Sequence, residues 1–105
     1  MRITVAHNRT KEEVIQSVDR SFDDLFQGPG LSQMKTADQQ RSWQGNRLNF
    51  SLTAKMGFFS TPIKGTVEVT DKDIIIDADL GMLERLIPEA KAREMLSSRI
   101  KGLLN

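Results

Sequence analysis

The apolar positions of this chain follow two periods, which divide it into helices and strands. After a β-branched run at residues 2–6, apolar residues recur at three- and four-residue steps and predict a helix over residues 8–28. Thr10 and Glu13 have the spacing of a capping box at its start. The sequence Gly28-Pro29-Gly30 predicts its end, because glycine accepts the left-handed cap and proline cannot continue the helix.

Four further segments are typical of strands. Residues 34–43 are extended but polar, and a turn signal at Gln44-Gly45-Asn46 follows them. Residues 47–56, 62–69 and 73–80 then alternate between apolar and polar side chains, which predicts three half-buried strands. These three strands are expected to form an antiparallel meander with one continuous apolar face.

The apolar alternation also predicts how these strands pair. A turn at Asp71-Lys72 places apolar residues opposite one another between the last two strands: Val69 with Ile74, Val67 with Ile76, Gly65 with Ala78, and Ile63 with Leu80. A four-residue loop over residues 57–60 would place Leu52 opposite Gly65 in the preceding pair.

The last part of the chain is predicted to be helical. Residues 81–87 resemble a short helix, and Pro88 suits the first turn of a second one with an apolar stripe at Ala92, Leu96 and Ile100. The element order is therefore β-α-β-β-β-β-α. We expect one α+β domain over residues 1–105, with an antiparallel sheet of about five strands and two amphipathic helices packed on one face.

Composition limits the classes of function. The 105 residues include 28% charged and 38% hydrophobic side chains, a balance typical of a globular domain. A net charge of +1 supplies no strong field for nucleic acid or an anionic membrane. The lack of cysteine excludes disulfides and thiolate metal sites. With no signal-like start and no apolar run long enough to span a bilayer, we expect a cytoplasmic protein without a transmembrane segment.

No group of residues indicates catalysis, a cofactor or a metal. His7 is the sole histidine and has no recognisable nucleophile to activate, so an exposed or capping role is favoured. The acidic run that begins at Asp71 starts like a calcium loop, but Ile76 and Met82 occupy its sixth and twelfth positions, which require glycine and glutamate. The other carboxylates of this run are expected on the solvent face of a strand. We therefore expect a protein that is not an enzyme.

The polar strand over residues 34–43 allows two interpretations. Whichever set of alternate residues faces inward, the inner face of this strand contains polar side chains. These are Gln39 and Arg41 in one register and Asp38 and Gln40 in the other. A polar edge strand is the favoured interpretation. The alternative is a pocket whose polar lining includes Gln39 and Arg41.

Three aromatic residues are candidates for an interaction surface. Phe58 and Phe59 fall in a predicted loop, where large apolar rings are unusual, and are the better surface candidates. Trp43 could also anchor a partner, although packing against the end of the core is favoured for it.

The runs "SWQGNRLNFSLTAKMGF" and "IKGTVEVTDKDIIIDADL", with the opening "RITVAHNRTKEEV" and the "FDDLF" helix end, resemble the polyhydroxyalkanoic acid system family. The resemblance extends over nearly the whole chain and rests on the order and spacing of its segments. It implies a small non-catalytic protein of polyester-storing bacteria and brings no catalytic residues with it.

Two functions follow as hypotheses. The first is an interaction module that contacts a polyhydroxyalkanoate granule or a granule-associated protein. The alternative is a binding protein or sensor for an apolar acyl or hydroxyacyl ligand held between the sheet and the C-terminal helix. An exposed edge strand could also pair with its copy to form a homodimer.

Overall fold

The computed structural model describes residues 1–22, 35–82, 85 and 88–104. Five strands form one antiparallel sheet in the spatial order β1-β5-β4-β3-β2. The elements in chain order are β1 (Arg2–Ala6), α1 (Lys11–Ser21), β2 (Lys35–Gln44), β3 (Arg47–Met56), β4 (Phe59–Val69), β5 (Asp73–Asp79) and α2 (Glu89–Leu104). The predicted α+β class is confirmed. The predicted helix end at residues 28–30 lies outside the described residues, as does most of the short helix predicted over residues 81–87.

Helix α1 begins at the predicted cap. The Thr10 hydroxyl accepts a hydrogen bond from the Glu13 backbone N–H at 3.2 Å and donates one to the Glu13 carboxylate at 3.1 Å. The backbone N–H would otherwise lack a partner in the first turn. Val14, Val18 and Phe22 belong to the apolar stripe, and all three are buried in the core.

Helix α2 covers the same face of the sheet, near β1. Ala92, Leu96 and Ile100 are its buried residues, at the four-residue spacing that the sequence predicts. The Pro88 carbonyl accepts a hydrogen bond from the Ala92 backbone N–H at 3.0 Å. Pro88 is therefore the N-cap residue that precedes the helix and does not lie in its first turn.

The core lies between the inner face of the sheet and the two helices. Alternate residues of each central strand point into it, while the intervening residues face water on the outer side. Its largest fully buried apolar side chains are Phe22, Leu48, Ile63, Ile74 and Ile100.

The pairing of β4 with β5 agrees with the predicted register at three of its four pairs. Val69 lies opposite Ile74, Val67 opposite Ile76 and Gly65 opposite Ala78. The fourth predicted pair, with Leu80, is not formed because β5 ends at Asp79. The Thr70 hydroxyl accepts the Asp73 backbone N–H at 2.9 Å and so holds the Asp71-Lys72 turn closed.

The predicted register of β3 with β4 is wrong by two residues. Phe50 lies opposite Gly65, and Leu52 lies opposite Ile63. The connecting turn has two residues rather than four, because Gly57 adopts a φ of 61° and Phe59 already pairs with Met56. A shift of two keeps every side chain on its own face, so the apolar pattern cannot distinguish the two registers.

Strand β2 is an edge strand with a bulge. Its pairing with β3 shifts between Ala37 and Gln40, and Asp38 in between has a φ of 54°. Asp is among the few residues that tolerate this left-handed conformation. The bulge changes the parity of β2, so Thr36 and Arg41 both lie on the inner face, opposite Ala54 and Phe50.

Candidate interaction site

The turn between β3 and β4 presents an aromatic ring to solvent. Gly57 and Phe58, here called the hairpin tip, are its two central residues. Gly57 has a φ of 61°, and Phe58 has no positive φ, the combination that defines a type II′ turn. The Phe58 side chain projects beyond the fold, with a relative exposure of 112%. The structure thus places Phe58 where a surface anchor would lie.

The neighbouring ring behaves differently. Phe59 is the first residue of β4, lies opposite Met56 and packs, half-buried, against the core. Successive side chains of a strand point to opposite faces, and Phe59 takes the inner side. Only one of the two candidate rings at this turn is therefore free in the monomer.

A second apolar side chain is exposed at the same end of the sheet. Met82 has a relative exposure of 52%, and its backbone N–H donates to the buried Thr61 hydroxyl at 3.1 Å. Thr61 is three residues from Phe58 along the chain, or about 10 Å of strand. Gly81 permits this contact because its φ is 58° and a Cβ there would meet the Pro62 carbonyl oxygen at 2.9 Å.

Trp43 does not join this surface. It lies opposite Leu48, whereas the hairpin tip begins after Met56, so the two are separated by about 26 Å along β3. Its indole N–H donates to the Asp19 carboxylate at 3.1 Å, and its ring packs against the edge of the core. Trp43 ties β2 to α1, in agreement with the core role favoured from the sequence.

Arg41 takes part in the same contact between strand and helix. Its guanidinium Nε lies 3.6 Å from the Asp19 carboxylate, and its carbon Cζ lies 5.4 Å from the centre of the Phe22 ring. These distances fit an ion pair and a cation–π contact. Arg41 thereby covers the core beside an edge strand.

Gln39 lies within the bulge. It is exposed, and its side-chain amide donates to the Thr36 hydroxyl at 2.9 Å. The prediction that Gln39 and Arg41 share one face assumed strict alternation, which the bulge breaks. Both border a shallow, open depression along β2 and β3 that also includes Gln40, Ser42, Asn49, Phe50 and Ser51.

His7 is held by backbone groups on both sides of its ring. Nδ1 accepts the Arg9 backbone N–H at 3.2 Å, so the proton is on Nε2, which donates to the Thr70 carbonyl at 2.8 Å. This arrangement ties the end of β1 to the β4–β5 turn. It agrees with the capping role favoured from the sequence.

The strand carboxylates lie on the outer face as expected. Asp77 pairs with Arg2 and Thr66 across the sheet, and Asp79 pairs with Lys64 and accepts the Gly81 backbone N–H at 2.9 Å. In the described part of the chain, no three His, Asp or Glu side chains gather in a way that could hold a metal ion.

Comparison with known proteins gives no assignment. No family model, curated protein or solved structure matches the chain. Within the described residues, no helix combines the length and the apolar character needed to cross a membrane.

Proposed function

We propose that the protein is a non-catalytic interaction module of polyhydroxyalkanoate storage, which contacts a granule surface or a granule-associated protein through the hairpin tip. The observation that carries this proposal is the complete exposure of Phe58 on a two-residue turn. The resemblance of the sequence to the polyhydroxyalkanoic acid system family supplies the biological setting.

Two properties of Phe58 support its role as the contact residue. Exposure of a large aromatic side chain stabilises nothing in the monomer, whereas burial of a Phe against a partner contributes about 1.5–3 kcal/mol. The turn fixes the backbone on both sides through paired strands, so little conformational entropy is lost on contact.

Co-sedimentation with isolated granules tests the proposal. We expect the wild-type protein to pellet with granules and Phe58→Ser to remain largely in the supernatant. Phe58→Leu is a matched control, because it changes the same exposed position but keeps a large apolar side chain there, and it should pellet like the wild type. Equal pelleting of wild type and Phe58→Ser would remove the hairpin tip from the function.

The alternative of an apolar acyl ligand requires a cavity between the sheet and α2. One open depression runs along β2 and β3, and another lies where the end of β1 meets the C-terminal end of α2, bordered by Ala6, His7, Lys101 and Leu104. Native mass spectrometry would detect a co-purified hydroxyacyl species and thus favour the alternative.

A further inference from the structure

Two lysines lie next to each other behind the hairpin tip. Lys35 of β2 and Lys55 of β3 are direct cross-strand partners on the outer face, and both are exposed. We call them the lysine pair. Like charges directly opposite each other destabilise a sheet, so the fold itself gains nothing from this arrangement.

Among the described residues, no acidic side chain is a cross-strand partner of the lysine pair. Ser60 is the partner of Lys55 on the other side, and the next outer-face positions are Thr53 and Pro62. Among the described residues of these strands and β5, the nearest acids are Asp38 in the bulge and Asp79 opposite Lys64, about 10 Å or more away along the strands. The positive charge is therefore local, although the whole chain carries only +1.

The hairpin tip and the lysine pair are arranged at two depths. Lys55 lies opposite Ser60, two residues from Phe58, so the lysine pair is about 7 Å behind the turn, and a lysine stem can extend its ammonium group towards a polar surface. Interfacial amphipathic helices bury their apolar side chains about 5–10 Å into the boundary between headgroups and acyl chains and carry basic residues on the polar side. The spacing of Phe58 and the lysine pair matches this arrangement.

We propose that the hairpin tip and the lysine pair bind the surface of an anionic lipid layer. Phe58 enters the acyl region, and the ammonium groups of Lys35 and Lys55 contact headgroup phosphates. The inference deepens the proposed function, since it rests on the same tip and names the chemistry of the surface that the tip contacts.

Vesicle sedimentation tests this inference. We expect the protein to bind vesicles of phosphatidylcholine mixed with phosphatidylglycerol far more strongly than vesicles of phosphatidylcholine alone. High salt weakens this preference, because it screens charges beyond a few ångströms. Inorganic phosphate at moderate concentration does not compete appreciably, because it lacks an acyl layer for Phe58.

Two variants separate the apolar and the charged contributions. Phe58→Ser lowers the vesicle–water partition coefficient by roughly 10- to 100-fold, which corresponds to the free energy of burying one Phe side chain. The double variant Lys35→Gln/Lys55→Gln lowers it by about 20- to 30-fold, at about fivefold per lysine. Lys72→Gln/Lys91→Gln loses the same charge from exposed positions away from the tip and should bind like wild type.

Each contrary result has a defined meaning. Failure to bind mixed vesicles, equal binding to both vesicle types, or equal binding of the two double-lysine variants would overturn the inference. Self-association as the sole effect of Lys35→Gln/Lys55→Gln would identify the lysine pair as protection of an edge strand and would also overturn it. Granule binding without vesicle binding would overturn the inference but leave the proposed function standing.

Discussion

Gly65→Ala is the substitution that tests the fold most sharply, because it adds one methyl group at the centre of the sheet. A Cβ at residue 65 would meet the backbone oxygen of Asp77, the Ala78 Cα at 2.9 Å and the Phe50 ring atom Cζ at 3.1 Å. The first two are backbone atoms of the neighbouring strand, so they cannot rotate away. The methyl group can be accommodated only if β4 and β5 move apart.

The size of the effect follows from two opposing terms. Replacing glycine by alanine inside a strand normally gains about 0.5–1 kcal/mol from reduced backbone entropy. Overpacking by a methyl group usually costs about 1–3 kcal/mol, and this contact lies at the high end because its partners are backbone. We expect a net loss of about 2 kcal/mol in the free energy of unfolding, or roughly 8–16 °C in Tm for a chain of this size.

Gly102→Ala is the matched control. Gly102 lies in the last turn of α2, and a Cβ there would meet nothing within 4 Å. The same substitution should therefore stabilise the protein by about 0.5–1 kcal/mol. Urea unfolding monitored by circular dichroism measures both variants. A Gly65→Ala protein as stable as Gly102→Ala would refute the close approach of β5 to Gly65.

Three further substitutions test individual contacts by the same unfolding assay. Trp43→Phe removes the indole hydrogen bond to Asp19 and should lower the free energy of unfolding by about 1 kcal/mol. If the same substitution lowers it no further in a protein that already carries Asp19→Ala, the pairing of the two side chains is confirmed. Asp38→Gly should leave stability unchanged or raise it slightly, whereas Asp38→Val should lower it by about 1–2 kcal/mol; equal stability of the two would contradict the left-handed bulge. Gly81→Ala should cost about 2 kcal/mol, because it combines a positive φ with a clash against Thr61, and a neutral result would show that this turn lies elsewhere.

Much of the architecture could be predicted from periodicity. The inner faces of β3, β4 and β5 and the stripes of both helices follow from apolar spacing, because burial of one face is what these patterns encode. The Thr10 cap follows from local side-chain chemistry, and the Asp71-Lys72 turn follows from the apolar pairing of the strands on either side of it.

The details that escaped prediction have physical causes. The β3–β4 register depends on whether the turn has two or four residues, which is decided by the positive φ of Gly57. A two-residue shift leaves the apolar faces unchanged, so the apolar pattern cannot reveal it. The β2 bulge depends on Asp38 accepting a positive φ, which alternation cannot reveal, and it separated Gln39 from Arg41.

The candidate site was predicted in part. The unusual placement of two phenylalanines at a turn pointed to Phe58, but their opposite burial followed only once Phe59 was placed in β4. That Trp43 lies far from the hairpin tip could be seen only once the pairing of β2 with β3 was known. The lysine pair went unrecognised because Lys35 and Lys55 are far apart in sequence and become neighbours only through the pairing of β2 with β3.

A fluorescent label at the hairpin tip would report directly on the contact proposed here. The chain has no cysteine, so Phe58→Cys can be labelled at a single position with an environment-sensitive apolar dye that takes the place of the ring. Lys91→Cys on the exposed side of α2 provides the control position.

The decisive measurement is the emission of the two labelled proteins on addition of isolated polyester granules. We predict a blue shift for the label at residue 58, because the tip enters an apolar surface, and no shift for the label at residue 91. Granule binding with unchanged emission at residue 58 would contradict the role assigned to the hairpin tip.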